Sequence, residues 1–570
     1  MAGGVKKPVN IFKLKNLGEP KEAFNWRLWF AVISFGLLGA ARGVDEGLIS
    51  GAFNSKHFQS TINYKSYTTV EQANIKANVS AMVQIGSVGG ALIAFLICDK
   101  IGRIWATRQL CVLWVLGIAI FMGSNGNLGA VYAGRFIAGL GVGQTPVVGP
   151  VYIAEIAPAS IRGLCTCIFT GFVYLGIVVA YFTNYGCQIN LGDTTPARWE
   201  VPTSLHLMFA TLISILTFFQ YESPRYLIKK GKHARALHVM SRLRHLSSDH
   251  EYVQREINDI TVSHHKELEA TRGTGWLGVL REAFTIPSNL YRVGITIGAQ
   301  IMSQWSGAGS ITLYAPDLFS LLGITGTNES LLVTAVFGIV KLVAAVICAL
   351  FLVDFIGRKR SLLLGISLQA LSMVYIASFL TAVPQLGTED GYDLSAAEIG
   401  PSKGAIAMIY VSGFGWALGW NSMQYLLTAE LFPLRIRAFC TSLAMSFHFA
   451  NQYGNSRAVP NMLLPRADGG LSPKGTFWCF AAVTIVGGLW VWFVVPETAG
   501  RSLESMDRLF SLPWYKIGRY GNKDAAAQDV DFDEKKLAEG KAVLGGVTAE
   551  HVEEKVLGKA SNQGSDTELV

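Results

Sequence analysis

The chain has 570 residues, of which 51% are hydrophobic and only 15% charged. That balance cannot solvate the surface of a soluble protein, and a single soluble core does not grow to this size. The net charge of +8 is concentrated in short flanks between apolar runs, so it reads as a membrane-topology signal, which excludes nucleic-acid binding as its explanation.

Residues 1–27 carry Lys6, Lys7, Lys13, Lys15 and Lys21 ahead of the first apolar run and are expected to be a cytoplasmic segment without a cleavable leader. Apolar runs of ~20 residues, each able to cross a ~30 Å hydrocarbon core, then recur. They fall at about 28–50, 78–98, 105–124, 130–152, 164–186, 202–220, 291–314, 330–353, 361–382, 404–429, 438–463 and 476–495. Residues 221–285 interrupt the series as a cytoplasmic loop of charge-rich amphipathic helices, separating one six-helix half, 28–220, from another, 286–496. The rest, 497–570, reads as a cytoplasmic tail, largely disordered after about 511. Arg103, Arg108, Arg162, Arg358, Lys359, Arg360, Arg435 and Arg437 fall on the side of the N-terminus, whereas the opposite loop near 385–400 is acidic. The expectation is an all-α membrane protein with twelve transmembrane helices and both termini cytoplasmic. Eight scattered cysteines form no CxxC pair, metal-ligand spacing or disulfide framework, and no nucleophile–base pair or phosphate loop appears. No enzyme activity, cofactor or metal is expected.

The chain repeats itself. Asp99-Lys-Ile-Gly-Arg103 returns as Asp354-Phe-Ile-Gly-Arg358, and Glu155, Pro158 and Arg162 return at the same spacing as Glu430, Pro433 and Arg437. Each copy ends an apolar run. A carboxylate there can pair with a guanidinium on a neighbouring helix end, making a latch that breaks as two halves tilt. The alternative, a generic positive flank, explains one copy better than it explains two.

Further motifs are Gly134-Arg-Phe-Ile-Ala-Gly-Leu-Gly-Val-Gly143, Pro150-Val-Tyr-Ile-Ala-Glu-Ile-Ala-Pro158, Glu222-Ser-Pro-Arg225, Ala429-Glu-Leu-Phe-Pro433 and Pro496-Glu-Thr-Ala-Gly500. In this order they give residues 25–505 a resemblance to the sugar-porter branch of the major facilitator superfamily, particularly fungal members. The resemblance implies six-plus-six helices around a central site opened alternately to each side. It also implies a cytoplasmic latch of Asp99, Arg103, Glu155, Arg162, Glu222, Arg225, Asp354, Arg358, Glu430, Arg437 and Glu497.

Asp45 stands where proton-coupled members of the family carry an acid, and the family's partner arginine maps onto Arg135. A carboxylate inside a membrane is costly, so it is read as functional by default. Arg42, three residues earlier, shares the face of Asp45, which leaves open a static Arg42–Asp45 pair. Glu46 is expected to be exposed at a helix end. The family's sugar site is only partly kept: Gln304 and Tyr314 match, while Ser303, Gly309, Thr170 and Tyr425 stand where the family has other residues. His448, Asn451, Gln452 and Asn455 add polar groups to the eleventh run.

Lys341 interrupts the eighth run, ~20 Å along the helix from Asp354. A buried ammonium faces a cavity and a partner, either a protein carboxylate or a substrate carboxylate; snorkelling to the outer interface is the other reading. The resulting expectation is proton-coupled uptake of a monosaccharide-like polyhydroxy solute across the plasma membrane. A sugar-acid or quinate-type carrier is the rival, and a non-transporting sugar sensor a further alternative.

Overall fold

The computed structural model describes residues 19–53, 55–158, 161–271, 276–324, 326–348, 357–386, 392–421, 427, 431–498, 506, 509–510 and 512–520. Asp354, Tyr425 and Glu430 lie outside them, as do the lysines at 6–15 and the tail beyond 520.

Among the described residues every regular element is a helix. The first part of the chain folds as α1 (Trp26–Phe53), α2 (Lys56–Thr61), α3 (Thr69–Ile101), α4 (Arg103–Met122), α5 (Leu128–Val142), α6 (Thr145–Ile156), α7 (Arg162–Asn190) and α8 (Ala197–Leu216). The charge-rich loop forms α9 (Pro224–Lys229), α10 (His233–Arg244), α11 (Glu251–Thr271) and α12 (Trp276–Thr285). There follow α13 (Pro287–Trp305), α14 (Ala308–Leu313), α15 (Ala315–Leu321), α16 (Thr327–Ile347), α17 (Arg358–Ala382), α18 (Ala396–Leu418), α19 (Leu434–Met462) and α20 (Ser472–Val494). A last helix, α21 (Trp514–Tyr520), closes the described chain.

Nine helical stretches among the described residues are long and apolar enough to span a bilayer. The expected runs at 291–314, 404–429 and 438–463 are not among them. The first is broken after Trp305, where Gly307 adopts φ +84° and ends α13. The third carries His448, Asn451, Gln452, Asn455 and Arg457 and is too polar on average. The second reaches beyond Leu418 into residues outside the described set.

Close packing fixes where the charged residues sit. Helix α1 lies directly on α7, and a Cβ at Gly43 would overlap the Val173 carbonyl oxygen. This contact leaves α1 no room to rotate, so Arg42, Asp45 and Glu46 are held at one level. Elements from the two parts of the sequence meet where α7 packs on α16, α3 on α19, and α1 on α14. At the end of α3 remote from Asp99, Lys76 pairs with Asp317 at 2.8 Å and Arg457 donates to Asn74 at 2.8 Å.

Two parts of the loop and tail are ordered against this body. Arg244 is buried, grips Glu256 through two bonds and donates to the Ile156 carbonyl at the C-terminal end of α6. Residues 514–520, expected to be disordered, form a helix whose Ile517 is buried, and Lys359 Nζ donates to the Gly518 carbonyl at 3.3 Å.

Candidate functional site: a charged cavity between the two parts of the chain

Asp45 and Arg135 meet as expected. Arg135 Nη1 donates to Asp45 Oδ1 at 2.7 Å, and Arg135 Nε donates to the Val79 carbonyl at 3.2 Å. Both side chains are 3% exposed, so the pair is dry and each charge depends on the other. His206 of α8 lies within electrostatic range of both.

Arg42 does not pair with Asp45. Its Nε donates to Glu46 Oε1 at 3.2 Å, one turn along α1, and Nη2 lies 2.9 Å from His448 Nε2 on α19. Asp45, three residues on, is already held by Arg135, so the four-residue spacing takes Arg42. The guanidinium also stands 5.3 Å over the Phe449 ring. Because a guanidinium only donates, His448 Nε2 accepts and the ring proton sits on Nδ1, 2.9 Å from Gln300 Oε1. Gln304 Nε2 is 3.2 Å from that same nitrogen.

Glu46 is not at an exposed helix end. It sits about two turns inside the C-terminal end of α1 and accepts from Gln452 Nε2 of α19 at 3.2 Å. It therefore ties the two parts of the chain together across the cavity.

Lys341 is 2% exposed and does not snorkel. Its Nζ donates to Thr312 Oγ1 at 2.6 Å and stands 5.3 Å from both the Tyr174 and Phe337 ring centroids. Glu46 is the carboxylate within its electrostatic range. A hydroxyl and two ring faces, with Glu46 in range, are what the structure places around this buried ammonium. Tyr181 closes the site from α7 by donating to the Thr312 carbonyl at 2.6 Å.

The other expected contacts divide. Gln304 faces the cluster, whereas its neighbour Ser303 donates back to the Gln300 carbonyl at 3.0 Å. Gly309 leaves room beside Gln304, since a Cβ there would stand 3.4 Å from Gln304 Oε1. Tyr314 donates to the Ser456 carbonyl at 2.9 Å, and Asn451 accepts from Trp305 Nε1 at 3.2 Å, so both join helices. Thr170 bonds the Cys167 carbonyl on its own helix; Tyr174, one turn on, is the α7 residue that reaches Lys341. Glu46, Gln300, Thr312 and Tyr174 are therefore the cavity groups that sequence reasoning missed. Only Glu46 left a signal, as an acid inside an apolar run.

A second constellation lies at the Asp99 end. Arg103 pairs with Asp99 at 3.0 Å and Glu155 at 2.7 Å, and Lys229 joins Asp99 at 2.8 Å. Glu155 thus meets Arg103, not the Arg162 of its own motif, whose electrostatic neighbours include Arg225, Glu256, Arg244 and Glu19. Glu222 caps α4, accepting from the Arg103 and Ile104 amides at 3.0 and 3.2 Å. Glu497 does the same for α17, accepting from the Arg358 and Lys359 amides at 2.9 and 3.1 Å. The glycines before the two helices share one backbone conformation, φ 95°, ψ 167° at Gly102 and φ 94°, ψ 164° at Gly357. Arg437 donates to the Phe432 carbonyl at 2.9 Å. The Gly-Arg steps of the repeat thus share one capped geometry.

A body of long apolar helices, a buried charged cluster between its two parts and twin capped helix ends are the features of a major facilitator fold. Residues 30–510 match the family described as "Sugar (and other) transporter", and the chain belongs to it. It is a multi-pass sugar-porter transporter and not an enzyme. It is 30% identical over 541 residues to a quinate permease of Emericella nidulans, covering 94% of this chain and 98% of that one. It is also 30% identical over 496 residues to a probable quinate permease of Aspergillus niger, covering 86% and 89%. Among solved structures, it resembles the proton:xylose symporter XylE bound to 6-bromo-6-deoxy-D-glucose, with a TM-score of 0.69 at 22% identity. That likeness covers 85% of this chain and 99% of the other. The inward open form of XylE from E. coli gives a TM-score of 0.65 at 20% identity, covering 85% and 99%.

Proposed function

We propose that the protein carries a polyhydroxylated monocarboxylate of the quinate type together with protons, by alternating access between two six-helix halves. Twelve membrane helices, cytoplasmic termini and a plasma-membrane location go with this reading. The observation that carries it is Lys341, an ammonium held by a hydroxyl and two rings within a cavity that also contains Arg42. A neutral sugar gains little from a buried cation, whereas a carboxylate gains a charge-assisted bond. The quinate permeases among the relatives support the same class.

Asp45 is the proposed coupling carboxylate and Arg135 the partner that holds it when charged. Gln304, Gln300 and Gln452 supply groups that both donate and accept, as ring hydroxyls require. The clusters around Asp99, Arg103, Glu155, Glu222 and Glu497 are proposed to form the cytoplasmic latch. A neutral monosaccharide is the second reading, favoured by Gln304 and the amides of α19.

Uptake of labelled quinate, galacturonate, xylose and glucose into a transport-null yeast strain, at outside pH 5 and 7, tests this. Quinate or galacturonate is expected to accumulate at pH 5 and to lose accumulation with an uncoupler. Accumulation of the neutral sugars alone rejects the carboxylate reading, and uptake indifferent to the proton gradient rejects coupling.

A further inference from the structure

Glu46 differs from Asp45 in two ways. Its side chain is 16% exposed against 3%, and its guanidinium partner is shared with a second group. Arg42 turns Nη2 to His448 and Nε to Glu46, so the Nε face meets a carboxylate that is still 16% exposed. The groups facing Glu46 come from four helices. They are Arg42 on α1 itself, Gln452 on α19, Lys341 on α16 and Tyr181 on α7, with His448 reached only through Arg42. Asp45, next in the chain, is neutralised by Arg135 of α5 and does not compete.

We infer that the Glu46 carboxylate holds the place at Arg42 that a substrate carboxylate takes on binding, and that binding therefore moves one proton from solvent onto Glu46. The inference rests on the carboxylate reading of the substrate. Two carboxylates brought to one guanidinium in a low-dielectric site repel, and the pair relieves this by taking up a proton. The substrate is already bound to Lys341 and Arg42 as an anion, so the proton falls to Glu46, which keeps its bond from Gln452 in either state. A neutral polyol brings no charge, leaves the Arg42–Glu46 pair in place and takes up no proton there. Glu46 is in this sense a specificity-determining group, coupling loading to protons only when the cargo is an acid.

Calorimetry on the purified full-length protein in two buffers of different ionisation enthalpy tests this, with quinate and myo-inositol as the probes. In an Asp45→Asn background, which silences the other carboxylate, quinate binding is expected to take up about one proton. Its affinity is then expected to fall as pH rises, by up to about tenfold per pH unit. Adding Glu46→Gln, close to isosteric, is expected to abolish the proton uptake and flatten the pH dependence while quinate still binds. Undiminished proton uptake in the double variant overturns the inference. In the wild-type protein, which needs no substitution to fold, equal proton uptake with quinate and with myo-inositol overturns it as well. Binding of myo-inositol but not quinate overturns the carboxylate reading of the substrate itself.

Discussion

At the scale of single residues, the proposed substrate class rests on charge placement. Lys341→Ala removes the ammonium that Thr312, Tyr174 and Phe337 hold. Losing one hydrogen bond to a charged group is worth roughly 1.5–3 kcal/mol, so quinate KM is expected to rise about 10- to 100-fold. A neutral sugar, if transported at all, is expected to shift far less, and competition uptake assays separate the two. Asp45→Asn leaves Arg135 without its carboxylate, and the expected result is solute exchange with no accumulation, read by counterflow and by uptake under a proton gradient. The family resemblance made the Asp45–Arg135 pair legible in the sequence. The partners of Arg42 and Lys341 were not legible, for a physical reason. A guanidinium on a helix reaches both three and four residues ahead, and the choice between Asp45 and Glu46 is made by Arg135, which is remote in sequence. The shell of Lys341 likewise draws on α7, α14 and α16, and no spacing along the chain records such a meeting.

At the scale of elements, the two glycine–carboxylate caps explain why the repeat has its particular residues. Four amides at a helix start lack partners within the helix, and an anion is favoured there by the helix dipole. Gly102 and Gly357 bring the chain in at positive φ, and a Cβ at either would run into the Glu222 or Glu497 carboxylate. Gly357→Ala is therefore expected to lose about 1–3 kcal/mol. Glu497→Gln, which keeps the shape and removes the charge, is expected to lose about 0.3–1 kcal/mol. Thermal unfolding of the purified protein should rank the two in that order. The repeat is plain in the sequence, and Asp99 and Glu155 do meet a guanidinium, that of Arg103. Motif spacing does not reveal that Glu222 and Glu497 take backbone amides as partners. The break between α13 and α14 is also not legible, because 291–314 is long enough to be read as one span.

At the scale of the whole molecule, contacts between the two parts of the chain fall into two kinds. Polar ties such as Lys76–Asp317 and Arg457–Asn74 sit at one end, and Glu46–Gln452 crosses the cavity. The ties from Glu222 to α4 and from Glu497 to α17 instead stay within one part each. Glu222 follows α8 and binds the start of α4, and Glu497 follows α20 and binds the start of α17. Each part of the chain is thus tied back on itself by its own carboxylate, without a bond through the charge-rich loop. A cut between α11 and α12 should then be tolerated. Two fragments, 1–272 and 273–570, made together in the same yeast cell are expected to assemble and restore acid-stimulated uptake, while either alone gives none. Fragments that both reach the membrane yet never pair would mean that the covalent link itself is required. Success would make the protein a natural two-piece kit, in which the halves of related carriers can be exchanged to find which one chooses the cargo.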